Sequence, residues 1–284
     1  MLFFNVISGN ITGKNREYYI KNSEVKIFNN LYSYFYLKDH SDEKVLEAFE
    51  LTKGKIMIDS GAFTAKSKNI EIDVDKYIKF INKWDQYVYL FGQIDIIPSE
   101  EASLKLIDIC CEETWKNYLY MYERINSPKK LLYTFHFGEQ IRFLKQALSW
   151  KDKNGSQMEY IALGGLVGKS TKQREKFLSS CFKIIKDSPN PNVKVHGFGV
   201  STLELWLKYP FASCDSSSAS RSANCGTKCT ETGTYKVEDY EKLFSNKEQN
   251  EADVNERIDM KTKLQISNIE YYHNMANEIS QYFE

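Results

Sequence analysis

Short apolar runs alternate with longer amphipathic ones along most of this chain. KIMIDS (55–60), YVYLFGQIDII (87–97), LLYTFHF (131–137), YIALGG (160–165), VKVHGFG (193–199) and FASCD (211–215) are dense in β-branched and aromatic residues. Such runs predict strands buried on both faces, as in a parallel sheet. Between them SDEKVLEAFELTK, VDKYIKFINKW, SEEASLKLIDICCEETWKNYLYMYERI, GEQIRFLKQALSW, TKQREKFLSSCFKIIK and STLELWLKY place apolar residues at helical spacing. Ser41 or Asp42 caps the first of these helices, and Ser201 or Thr202, with Glu204 close behind, the last. LFFNVIS (2–8) and VKIFNNLYSYFYL (25–37) add strand candidates, bringing the βα units to roughly eight. That count predicts an α/β fold, a closed (β/α)8 TIM-like barrel over residues 1–235; an open Rossmann-like sheet is the alternative. Residues 236–284 are charged and helical, interrupted by the polar SNKEQNEAD, and predict a C-terminal helical segment packed on the barrel. No internal repeat is present.

Composition narrows the class. Of 284 residues, 42% are apolar, 27% charged and 14% aromatic, the profile of a globular chain rather than a disordered one. Lys plus Arg and Asp plus Glu are equal at 38 each, so any polyanion must be held by a local patch, not by a global field. No apolar run approaches the roughly 20 residues of a membrane span, and MLFFNVISGN lacks the features of a signal peptide. The expectation is a cytoplasmic protein with no membrane partner. The six cysteines predict reduced thiols rather than a disulfide framework, with Cys225-x3-Cys229 at loose metal-ligand spacing.

The chemistry is expected where polar residues interrupt the strands. In a barrel of this kind the C-terminal strand ends carry the site, and Asp59, Asp95, His136 and Asp215 fall there. An aspartate at a strand end also serves as a turn or helix cap, and that reading stands beside the catalytic one for each residue alone. Three together weigh towards chemistry. Glycines at Gly61, Gly164–Gly165, Gly168, Gly197 and Gly199 follow the same strands, where they let backbone approach a ligand.

Four motifs then fall into one order. IDSGAFTA (58–65) resembles the DSGGFQ signature of the tRNA-guanine transglycosylases, ALGGLVG (162–168) their GGLAVG, and VHGFGVSTLELW (195–206) their MGVGTPEDL. FASCDSSSASR (211–221) stands where that superfamily has FDCVLPTR, and the resemblance spans roughly residues 55–230. It implies that Asp215 is the nucleophile forming a covalent glycosyl-enzyme, that Asp59 is the acid/base, and that Phe63 stacks on the base. It further implies base-binding roles for Asp95, His136, Gly164, Gly165, His196 and Gly197, with Arg221 and Lys228 beside the polynucleotide backbone. The residue types suit the chemistry on their own terms, because exchanging one base for another with retention takes two displacements and hence a carboxylate pair.

Departures from the pattern matter too. Thr64 replaces the signature glutamine, Ala62 its second glycine, and His196 a methionine. No cofactor is expected for the chemistry, and the family's three-cysteine signature for a structural zinc is absent in that form. If a structural zinc binds, Cys225, Cys229 and His273 are the candidates. The chain is short beside the tRNA enzymes and looks more like small phage-type relatives that insert 7-deazaguanines into DNA, which would place it in the host cytoplasm if phage-encoded. The expected activity is therefore exchange of guanine in DNA for a free 7-deazaguanine base. Exchange on tRNA is the alternative, and a non-catalytic partner subunit of such an enzyme the second. Lys169, Lys172, Arg174 and Lys176 could add phosphate contacts, or form a solvated helix face. A homodimer or helper protein is left open. A small-molecule barrel enzyme would call for a strand-end lysine or a metal cluster, and neither stands out.

Overall fold

In the computed structural model, eight parallel strands close on themselves in chain order, each pairing with the next and the eighth with the first. The structure describes residues 1–7, 28–99, 101–230, 233–237 and 251–283. The strands are β1 (Leu2–Ile7), β2 (Asn29–Ser33), β3 (Ile56–Asp59), β4 (Leu90–Gly92), β5 (Leu131–His136), β6 (Tyr160–Gly164), β7 (Lys194–Gly197) and β8 (Ser213–Ser216). This is the expected (β/α)8 barrel. The helices are α1 (Tyr34–Leu37), α2 (Asp42–Glu50), α3 (Ala62–Ser67), α4 (Val74–Trp84), α5 (Leu104–Tyr122), α6 (Ile141–Ser149), α7 (Thr171–Lys186), α8 (Leu203–Lys208), α9 (Ser218–Asn224) and α10 (Glu251–Phe283). Two further strands, β9 (Thr227–Thr230) and β10 (Gly233–Lys236), form a separate antiparallel hairpin.

Alternation along each strand divides the core in two. Phe4, Leu31, Met57, Leu90, Leu132 and Tyr160 point inward and fill the barrel. Phe3, Tyr32, Ile58, Phe91, Phe135, Ile161, Val195 and Cys214 point outward into the helical layer. The helices present matching faces: α4 buries Tyr77, Ile78, Ile81 and Trp84, and α6 buries Phe143, Leu144, Ala147 and Leu148. Ser41 caps α2 by accepting from the Lys44 N–H, and Ser170 caps α7 in a reciprocal box with Gln173. Thr202 precedes α8 but makes no side-chain cap bond.

The structure redraws three boundaries. Of the run 87–97, only Leu90–Gly92 is strand, because the chain leaves the sheet after Gly92 and the Tyr77 hydroxyl donates to the Gly92 carbonyl at 2.9 Å. Of the run 25–37, residues 29–33 are strand and 34–37 a helical turn, while 25–27 lie outside the described residues. The run Ser216–Arg221, whose serines favour turns, closes β8 and enters helix α9, whose Ala219, Ser220 and Ala223 are buried. Small side chains there let α9 lie close against α10.

Helix α10 packs against β1, α8, α9 and β9. Ile266, Ile269, Tyr272, Met275, Ala276 and Ile279 join the outer core at helical spacing. Buried Asn268 ties it down: its Oδ1 accepts from the Cys229 N–H at 2.7 Å, and its Nδ2 donates to the Thr227 and Ala219 carbonyls at 3.0 and 3.3 Å. Residues 245–250 of the polar interruption lie outside the described residues. Among the described residues no helix is long and apolar enough to cross a membrane.

Candidate active site

The barrel brings Asp59, Asp95 and Asp215 to one end. Asp59 is the last residue of β3, Asp215 stands inward on β8, and Asp95 lies just beyond β4. Their charges are mutually felt, since both Asp215 and Asp95 oppose ionisation of Asp59. Burial is the larger cause, and together these raise the Asp59 carboxyl to about 7, while the Ser33 hydroxyl and Gly61 N–H beside it pull the other way. Solvent reaches part of the residue, but Oδ1 is fully buried and has no hydrogen-bond partner. Gly61 is left-handed at φ 73° and starts α3; a Cβ there would come within 2.3 Å of Ser33 Oγ.

Asp215 sits in a different environment. Its Oδ1 accepts from the Gly199 backbone N–H at 3.0 Å and faces His196 Nε2 at 3.2 Å. His196 Nδ1 in turn lies 2.8 Å from Ser213 Oγ. The register that sets His196 opposite Ser213 across β7 and β8 makes this contact a property of the sheet. His196 is fully buried, with the Phe198 ring 4.5 Å away edge-on, so it cannot stack on an entering base as its motif position suggested. Gly197 is also not at the mouth: it faces outward, and a Cβ would come within 2.9 Å of Phe211 and 3.1 Å of Cys214. Its smallness serves the packing between sheet and helices.

The third group is a clamp around His136, the last residue of β5. Its Nδ1 lies 2.9 Å from Glu139 Oε1 and its Nε2 3.4 Å from Asp95 Oδ2. Burial by itself would lower the pKa of the ring, but the Asp95 and Glu139 carboxylates outweigh it and hold His136 well above its ordinary value. Gln93 donates to the other Asp95 oxygen at 2.8 Å. The ring reaches inward because Gly164 is beside it; a Cβ at Gly164 would stand 2.9 Å from His136 Cδ2. Gly165 follows in the left-handed region at φ 72°.

Phe63 lies at the rim, 77% exposed at the start of α3, and Val167 is 66% exposed on the loop after β6. Arg221 is exposed on α9 and Lys228 half-buried on β9. The metal candidates do not converge, and among the described residues no group of three or more His, Cys, Asp or Glu could hold a metal. Cys225 is exposed, and Cys229 is buried beside the Tyr272 hydroxyl. His273 packs edge-on to the Phe3 and Phe28 rings, and burial lowers its pKa to about 4.

No protein-family model matches the chain, and no curated protein matches it. The site therefore stands on its own geometry. Four of its polar members, Ser33, Gln93, Glu139 and Ser213, were not picked out from the sequence. Ser213 could have been, since it shares the inward phase with Asp215 in SCDS. Gln93 and Glu139 lie past their strand ends, where alternation gives no direction. Three buried oxygens around Asp59 and Asp95 have no partner, Ser33 Oγ, Asp59 Oδ1 and Gln93 Oε1, whereas Glu139 faces the Cys111 thiol of the helical layer. A buried acceptor left open costs about 1–3 kcal/mol, so the three together favour a ligand that brings N–H or O–H donors.

Proposed function

We propose that this chain is a guanine transglycosylase, exchanging guanine in a nucleic acid for a 7-deazaguanine through an aspartyl-glycosyl intermediate. The observation that carries the reading is the pair Asp59 and Asp215: two carboxylates at one barrel mouth, close enough to interact, in unlike surroundings. Pairs of this kind divide naturally into nucleophile and acid/base. Asp215, held by donors, attacks the anomeric carbon; the bond from that carbon to guanine N9 breaks, and guanine leaves with a proton from Asp59. An incoming 7-deazaguanine then gives a proton to Asp59 and displaces Asp215. Two inversions give net retention, and at neutral pH a carboxyl near 7 is suited to both proton transfers.

The open acceptors support a donor-rich base edge, which guanine and its 7-deaza analogues present through ring N–H and amino groups. Phe63 supplies an exposed ring for stacking, and the Asp95–His136–Glu139 clamp a fixed polar wall. Arg221, exposed on α9, and Lys228, on β9, follow Asp215 in the chain and are assigned to phosphate. DNA is the favoured polymer, on the small DNA-modifying enzymes that the motifs resemble.

The test is incorporation and trapping. The protein is incubated with DNA or tRNA carrying labelled guanine together with a free 7-deazaguanine. Release of labelled guanine and a denaturation-resistant adduct at Asp215 are expected, with DNA the better substrate. Asp215→Asn exchanging base as fast as wild type would sink the assignment.

A further inference from the structure

The base-exchange scheme uses Asp215 but leaves its buried neighbour without a task. His196 has no solvent exposure, an interior place that an apolar side chain could fill, and its two ring nitrogens are both engaged. The carboxylate fixes one of them: it only accepts, so Nε2 carries a proton and donates to Asp215 Oδ1. Nδ1 sits against the Ser213 hydroxyl, which can donate or accept. A donor chain thus crosses from β7 to β8 and ends on one oxygen of Asp215.

That oxygen is also the one bonded by the Gly199 N–H, at 3.0 Å. Oδ1 is thus committed twice, and Oδ2 is left as the reactive atom. We propose that His196 is a positioning residue for the nucleophile, holding Oδ1 with the Gly199 N–H so that Oδ2 is the atom that forms the glycosyl ester. The proposal rests on the base-exchange reading for the step it serves. His196 keeps its proton throughout: the Oδ2 bond to the anomeric carbon forms, the carbon–N9 bond breaks, and the proton taken up by guanine comes from Asp59. Fixing the carboxylate rotamer removes a rotation that would otherwise be lost at the transition state.

Two amides of equal polarity separate positioning from packing. Glutamine at this site carries its amide nitrogen about as far as Nε2, whereas asparagine reaches only to Nδ1. His196→Asn is expected to lower kcat about 10- to 100-fold, the span of one hydrogen bond to a charged group, with KM for the nucleic acid unchanged. His196→Gln is expected to recover most of that loss at the same thermal midpoint. His196→Asn exchanging as fast as wild type, or no faster rate for His196→Gln than for His196→Asn, overturns the proposal. Wild type that exchanges no base overturns instead the reading beneath it, so the two failures are distinct. Should the variants not fold, 15N chemical shifts of the wild-type imidazole decide: a proton on Nε2 is expected, and a proton on Nδ1 alone overturns the donor chain. A structure of the trapped adduct should carry the sugar on Oδ2; an ester on Oδ1 refutes the assignment.

Discussion

Replacing Asp59 with asparagine should stabilise the protein increasingly as pH rises, while removing the proposed exchange activity. Burial raises this carboxyl to about 7, with smaller contributions from Asp215 and Asp95. Against an unfolded value of about 3.9 the difference is about 3 pH units, or at most about 4 kcal/mol. The folded state binds the proton more tightly than the unfolded chain. Its contribution is therefore complete below about pH 3.9 and is lost as pH climbs through about 7. Between pH 5 and pH 8 the wild type should lose about 2–3 kcal/mol relative to Asp59→Asn, whose amide does not titrate. Urea unfolding of both proteins at pH 5, 6.5 and 8 reads this directly. A difference in unfolding free energy that stays flat over that range would refute the raised carboxyl. The same variant should lose about 10²- to 10⁴-fold in base exchange, the usual worth of a positioned acid/base. Asp59→Asn with wild-type exchange would leave the carboxyl perturbed but without the role assigned to it.

Other perturbations separate the parts of the site. Glu139→Gln removes one of the two carboxylates that raise His136, so NMR titration should show its imidazole losing its proton at lower pH than in wild type; no downward movement would refute the clamp. Phe63→Ala should raise KM for the free base with little change in thermal midpoint, because the ring is 77% exposed. Arg221→Ala and Lys228→Ala should each weaken nucleic-acid binding for all sequences alike and reduce the slope of log K against log salt by about 1. Gly61→Ala should cost about 2–4 kcal/mol in thermal or urea unfolding, since the residue is left-handed and its Cβ would meet Ser33 Oγ and Phe35 Cβ at 2.3 and 2.5 Å.

The barrel was legible because its strands are buried on both faces and its helices on one. That contrast of continuous and periodic apolar runs survives even where boundaries do not. Boundaries failed where a tertiary contact overrides the local pattern. YVYLFGQIDII reads as one long strand, yet the sheet ends at Gly92, where Tyr77 from α4 takes the carbonyl. SSSASR reads as a loop because serine favours caps and turns, yet its small residues are what α10 needs in order to pack closely on α9.

The site was legible in its charges and less so in its supports. Asp59, Asp95, His136 and Asp215 interrupt apolar runs and so announce themselves, whereas the groups that set their chemistry are uncharged, lie on other strands or, like Glu139, stand past a strand end. His196 shows the difference most clearly. Its motif position suggested contact with the base, but the alternation Val195 out, His196 in, Gly197 out, matched to Ser213 in, Cys214 out, Asp215 in, turns the ring into the barrel. Because β7 and β8 are in register at His196 and Ser213, the imidazole has nowhere to go except between that serine and the carboxylate two residues on. On the proposed base-exchange reading, a residue that looks in sequence like a change of base specificity becomes, once the strands are paired, a change in how the carboxylate of Asp215 is held. The positions that decide substrate choice must then be sought among residues that reach the mouth, with Phe63, the clamp at His136 and the open acceptor of Gln93 the first to exchange.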